Sequence, residues 1–146
     1  MNTPIDSRKL EDLEPGTRAR AQAFLAECER QGLRVLVTST FRNAARQNAL
    51  YAQGRTAPGQ RVTNARAGFS WHNFRRAFDV VPLTDKGKAD WQNTAAFRKL
   101  GAIGRSVGLE WGGDLAKFPD MPHFQFTQGL TLGEMRARFG GEAPGA

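Results

Sequence analysis

The chain holds two histidines, His72 and His123, each near an aspartate at a spacing that bears on metal binding. Asp79 follows the first by seven positions, and Asp120 precedes the second by three. A catalytic zinc site takes three protein ligands from His, Asp, Glu or Cys and leaves a fourth position open for water. Cys28 is the single cysteine, so it supplies neither a thiolate cluster nor an intramolecular disulfide and reads as a small buried apolar residue. Two histidines and one carboxylate would then make up a metal set. On a straight helix seven residues span about 10 Å, too far for two donors that must each lie about 2 Å from one ion. The segment from Ser70 to Asp79 is therefore expected to fold back through a tight connection at Asn73 to Arg76 and enter a strand, with His123 on a neighbouring strand closing the site.

The second aspartate suits acid-base work. Met121-Pro122 favours an irregular approach to the His123 strand, which can turn Asp120 toward the attacking water, where it would take a proton and then deliver it to the leaving amine. Asp114 and Glu110 are rival bases. A tetrahedral oxyanion needs a fixed positive partner as well, and Arg42, just past the first strand, is the candidate.

These side chains must be positioned by surrounding elements. Pro15-Gly16-Thr17 reads as a turn with Thr17 as N-cap, and Ala21, Phe24, Leu25 and Cys28 then recur at helical spacing up to Gly32. A strand is expected over 33–38 and a helix over 44–53, capped by Asn43 and ended by Gly54. Residues 54–68 are polar, rich in Gly and Arg, and read as a long functional loop. A buried strand over 77–83, a turn over 84–87 and a helix from 93 or 94 to 106 follow, the helix facing inward with Phe97, Leu100, Ile103, Gly104 and Val107. Residues 109–111 read as a brief strand, Gly112-Gly113 as a flexible turn, and 123–126 as a strand. Thr131 and Glu134 fit a capping box for a last helix with Leu132, Met135 and Phe139 inward. The expected architecture is α+β: one domain over 1–139 (core about 17–139), a small mostly antiparallel sheet flanked by helices, the zinc site on the sheet, no second core, and a flexible tail over 140–146.

A formal charge of +7 favours an anionic partner, whether nucleic acid, lipid or cell-wall polymer, and the arginines are spread along the chain without forming a block. The first residues lack an apolar signal region, and no stretch approaches the roughly 18 apolar residues of a membrane span. Synthesis in the cytoplasm without a signal peptide or membrane insertion is the expectation.

Ser70-x-His72-x6-Asp79, then Gly108-Leu109-x-Trp111-Gly112-Gly113-Asp114, then Asp120-x-Pro122-His123-Phe124-Gln125 together resemble the zinc peptidases of the D-alanyl-D-alanine carboxypeptidase and L-alanyl-D-glutamate endopeptidase superfamily, most of all the endopeptidases of phage endolysins. The resemblance extends upstream to Ser39-Thr40-Phe41-Arg42, Gln47, Tyr51 and Gly54-Arg55. It implies one Zn2+ per chain held by His72, Asp79 and His123, Asp120 as the catalytic carboxylate, Arg42 on substrate or intermediate, and support or substrate contact from Ser70, Gln47, Trp111 and Arg75. The implied reaction is hydrolysis of the L-alanyl-D-glutamate bond in peptidoglycan stem peptides. Such an enzyme would be a monomer with no nucleic-acid partner, released from the host cytoplasm to the wall through a separate pore. Release of terminal D-alanine is the alternative within the superfamily, and a basic wall- or nucleic-acid-binding module with a vestigial metal site is the alternative outside it. The family pattern commonly has glycine where this chain has Arg75, so the turn after His72 is expected either to be built differently or to aim Arg75 at the anionic stem peptide.

Overall fold

In the computed structural model, whose described residues are 3–145, Pro15 opens helix α1 (Pro15–Arg30). Proline lacks an amide and holds φ near its helical value, so it suits the first helical position. The cap is therefore Glu14 and not Thr17: the Glu14 carboxylate accepts from the amides of Gly16 and Thr17 and from the Thr17 hydroxyl.

Strands β1 (Val35–Ser39), β2 (Ala77–Pro82), β3 (Glu110–Trp111) and β4 (His123–Gln125) form one sheet in the order β1-β2-β4-β3, antiparallel at every pairing. Helix α2 (Ala44–Ala52) is capped by Asn43, α3 (Thr94–Ser106) by Asn93, and α4 (Leu132–Phe139) by the Thr131–Glu134 capping box. Three 3-10 segments were not anticipated: Leu10–Asp12, Trp71–Phe74 and Gly112–Asp114. The last replaces the flexible turn expected at Gly112-Gly113.

The core lies between the sheet and helices α1 and α3, where Phe24, Cys28, Phe97, Leu100 and Ile103 bury against Phe78, Val80 and Phe124. Phe124 takes Phe24 at 4.8 Å and Phe78 at 5.7 Å between ring centroids. Each such buried side chain contributes about 1.5–3 kcal/mol. Close approach of α3 to β3 depends on Gly101, where a Cβ would lie 2.4 Å from the Trp111 ring. Burial pushes the Cys28 thiol up to about 11, as befits a packing residue.

A second, smaller apolar cluster joins Phe74 and Met135 to Ala143, contrary to the expectation of a single core. Ala143 belongs to the segment expected to be a flexible tail. It is buried, its amide donates to the Asn73 carbonyl at 2.8 Å, and the adjacent Glu142 carboxylate accepts from the Ala44 amide at 3.0 Å. One alanine among glycines carries too weak a pattern to announce this docking. Among the described residues no helix is long and apolar enough to cross a membrane.

Candidate functional site

Asp79 and His123 are direct cross-strand partners of β2 and β4. Opposed residues in an antiparallel pair hold their Cβ atoms about 4.5–5.5 Å apart, so the register alone brings these two side chains together. His72 arrives from the 3-10 turn Trp71–Phe74, which Ser70 caps by accepting from the His72 amide at 3.3 Å. The fold-back expected from the spacing of His72 and Asp79 is made by this turn together with Arg75, whose φ of 63° lies in the left-handed region.

The three side chains converge on one point. His72 Nε2 and Asp79 Oδ1 are 3.1 Å apart, His123 Nδ1 and the same oxygen 3.2 Å, and all the donor atoms lie within 4.8 Å of one another. Donors shared by one tetrahedral zinc sit roughly 3.3 Å apart, given metal–ligand distances near 2 Å. The remaining nitrogen of each ring is committed elsewhere. His72 Nδ1 lies 2.8 Å from the Thr40 carbonyl, which can only accept, so this nitrogen carries a proton and leaves Nε2 to offer its lone pair to a cation. His123 Nε2 donates to Gln125 Oε1 at 2.8 Å and leaves Nδ1 facing Asp79. Both histidines are buried while Asp79 is partly exposed, so the set opens on one side. The donor types, the 3.1 and 3.2 Å separations from Asp79 Oδ1 and the outward partner of each ring's second nitrogen fit a zinc ion.

Without a cation these groups share charge. Burial pushes the Asp79 carboxyl up, but the charges and hydrogen bonds of His72 and His123 outweigh it and hold the group well below the usual carboxylate range. Burial likewise lowers His123, and its hydrogen bond and attraction to Asp79 overcome that and raise it.

Asp120 lies beside the set. Its amide donates to the Gly112 carbonyl at 2.9 Å, and its own carbonyl accepts from the His123 amide at 3.2 Å. At Gly112 a Cβ would stand 2.2 Å from the Asp120 carbonyl oxygen, so only glycine permits this approach. Although the residue as a whole is exposed, partial desolvation of its carboxyl raises it above the ordinary range. The charge of His123 opposes this, that of Asp79 adds to it, and His72 and Arg42 oppose it further. The rival bases are engaged elsewhere: Asp114 forms a two-pronged pair with Arg105 at 2.8 and 2.9 Å, and Glu110 accepts from the amide and hydroxyl of Thr127.

Arg42 follows β1, where a bulge between Val37 and Ser39 shifts the register so that Ser39 pairs with Asp79. Its Nη1 donates to Gln47 Oε1 at 3.2 Å, and the buried Gln47 reaches on to the Ala65 carbonyl at 2.6 Å, tying the arginine to the long loop. That loop, residues 53–70, and the segment 115–119 form the walls of a cleft of about 780 Å³ that ends at Asp120. Arg61, Val62, Phe69, Leu115, Lys117 and Phe118 line it.

Of the candidate residues Asp120 lines the cleft, while Arg75 and Trp111 are engaged by partners of their own. Arg75 turns to the Asp12 carbonyl at 2.8 Å and lies over the Phe41 ring at 3.8 Å. Trp111 is buried, and its indole donates to the Met121 carbonyl at 2.7 Å, holding the backbone next to Asp120. Thr40 and Gln125 were not assigned roles from sequence. Gln125 was accessible in principle, since it sits two residues from His123 on the same strand face; Thr40 acts through its backbone and leaves no trace in residue type.

Residues 10–120 match the family model described as VanY, D-alanyl-D-alanine carboxypeptidase. The chain is 36% identical over 122 residues to the peptidoglycan L-alanyl-D-glutamate endopeptidase CwlK of Bacillus subtilis (strain 168), covering 78% of this chain and 73% of that protein. It is 33% identical over 117 residues to an L-alanyl-D-glutamate peptidase of Listeria phage A118, of whose length it spans 38%. The fold is shared with the vancomycin-resistance D,D-pentapeptidase VanY solved with Zn(II), at a TM-score of 0.60 and 12% identity over 94% of this chain and 85% of that one.

Proposed function

The chain belongs to the D-alanyl-D-alanine carboxypeptidase family, and from that premise we propose that it is a zinc-dependent peptidoglycan hydrolase that cleaves the L-alanyl-D-glutamate bond of stem peptides. The observation that carries this reading is the convergence of His72 Nε2, Asp79 Oδ1 and His123 Nδ1 beside a cleft ending at Asp120. The names of the Bacillus and phage relatives support the choice of bond.

His72, Asp79 and His123 would hold one zinc ion. When bound, the ion supplies Lewis-acid polarisation of the scissile carbonyl and acidifies water at its open position. Asp120 takes the proton from the attacking water and returns it to the leaving amine, a role suited by a carboxyl raised above its ordinary range. The guanidinium of Arg42 stabilises the developing oxyanion. Ser70 holds the His72 turn, Gln47 holds Arg42, and Trp111 holds the backbone beside Asp120. Arg61 and Lys117 on the cleft walls give carboxylates of the stem peptide cationic partners, and Val62, Phe69 and Phe118 give its alkyl portions apolar surface.

The name of the phage relative favours an endolysin role; in this reading the domain works as a monomer that reaches the wall from the host cytoplasm through a separate pore. The description of the matching family favours a second reading, removal of terminal D-alanine. Digestion of purified peptidoglycan followed by mass spectrometry of the new termini separates the two: free amino-terminal D-glutamate is expected, and release of D-alanine alone overturns the endopeptidase reading.

A further inference from the structure

The guanidinium assigned to the oxyanion is gripped from a part of the chain that precedes the matched family region, residues 10–120. Asp6 Oδ2 faces Arg42 Nε at 3.4 Å, while Asp6 Oδ1 accepts from the Ser39 hydroxyl at 2.5 Å. Ser39 Oγ in turn accepts from Arg42 Nη2 at 3.4 Å, and Gln47 takes Nη1. Asp6, Ser39 and Gln47 thus form a closed clamp. Guanidinium has five N–H donors in a rigid fork, so a clamp on Nε and on one N–H of each terminal nitrogen leaves one N–H on each of those nitrogens to point at a ligand.

The strap that carries Asp6 is itself fixed. An antiparallel bridge pairs Asp6 with Arg42, the Ser7 amide donates to the Phe41 carbonyl at 2.8 Å, and the Thr40 amide donates to the Ser7 carbonyl at 2.7 Å. The Asn43 side chain, besides capping α2, accepts from the Ile5 amide at 2.9 Å and donates to the Thr3 carbonyl at 2.7 Å. The same residues that build the end of β1 and the start of α2 therefore lock the strap beside Arg42. Arg46 Nε, 3.7 Å from Asp6 Oδ2, adds a second cation, so removing the Asp6 charge would leave two neighbouring arginines unbalanced.

We infer that Asp6 is a positioning residue for catalysis: it orients the Arg42 guanidinium for the transition state, and the N-terminal strap over residues 3–7 is part of the catalytic apparatus. The inference rests on the assignment of Arg42 to the oxyanion. An arginine free to sample its rotamers spends only part of its time in the productive one, so loss of the clamp lowers the rate of the chemical step and leaves ground-state binding little changed.

Steady-state hydrolysis of a soluble stem peptide by the full chain tests this with Asp6→Ala, Asp6→Asn, Asp6→Glu, Arg42→Ala and the double variant Asp6→Ala/Arg42→Ala. Asp6→Ala and Asp6→Asn are expected to lower kcat and kcat/KM together by about tenfold with KM within about twofold, and Asp6→Glu to recover most of the loss. In the Arg42→Ala background the Asp6 substitution should cost less than about twofold, because the group it positions is gone. Thermal melting accompanies each variant, and the near-isosteric Asp6→Asn keeps the test available if Asp6→Ala fails to fold. Full kcat in Asp6→Asn, or an equal loss with and without Arg42, overturns the positioning role while leaving that of Arg42 standing. Wild-type kcat in Arg42→Ala overturns both.

Discussion

His72 and His123 each commit one ring nitrogen to a fixed acceptor, the Thr40 carbonyl and Gln125 Oε1, and so present the other to Asp79. Removing a ligand and removing the base should therefore have different signatures. His123→Ala is expected to lose both metal and turnover, whereas Asp120→Ala should keep stoichiometric metal and lose about 10²–10⁴ in kcat, as measured by metal analysis beside peptide hydrolysis. Arg75 is the other informative residue. Its left-handed backbone explains why glycine is common there in the family pattern, and its side chain faces Asp12 and Phe41 and not the cleft. Arg75→Gly and Arg75→Ala both lose those contacts but differ in backbone comfort, so the glycine variant should be the more stable by about 1 kcal/mol in denaturant unfolding. Equal stabilities would contradict the strained conformation.

Among the elements, the turn Gly112–Asp114 and strand β4 together set the position of the base. Gly112→Ala places a methyl against the Asp120 carbonyl oxygen, the His123 Cβ and the His123 carbonyl oxygen, so the segment that carries Asp120 and His123 must shift. Turnover should fall by about tenfold or more in peptide hydrolysis, and wild-type turnover would contradict the close approach. At α1, burial pushes the Glu14 carboxyl up, but hydrogen bonds from Thr17 and Gly16 and the charge of Arg76 leave it below its ordinary range. A lowered folded value means that the stabilisation is present above the unfolded value of about 4.3 and is lost as pH falls through the lowered one. Melting curves of wild type and Glu14→Gln should accordingly differ at neutral pH and converge in acid. Periodicity and capping residues made the helices and the antiparallel sheet legible, because Asn43, Asn93 and the Thr131–Glu134 pair act locally. The convergence of His72, Asp79 and His123 was legible because few residue types can bind an ion. What stayed hidden depends on distant partners or on backbone atoms: the Thr40 carbonyl, the Asp6 clamp and the docking of Ala143.

For the molecule as a whole, the charge of +7 is distributed, but Arg61 and Lys117 place two cations on the walls of the cleft that ends at Asp120. If they meet carboxylates of the stem peptide, Arg61→Ala and Lys117→Ala should raise KM with little change in kcat, and added salt should do the same to wild type, since exposed charges are screened over about 10 Å at 0.1 M. Unchanged KM in both variants would remove them from substrate recognition. The central claim, that His72, Asp79 and His123 hold one zinc ion that works with Asp120 on the L-alanyl-D-glutamate bond, is tested most directly by one paired measurement. Zinc content is titrated down with chelator and restored while peptidoglycan digestion is followed by mass spectrometry of the termini. The expected result is one zinc per chain, with the appearance of amino-terminal D-glutamate rising and falling in proportion to it. Hydrolysis that survives complete removal of the metal, or zinc-loaded protein that leaves the stem peptide uncut, would contradict it.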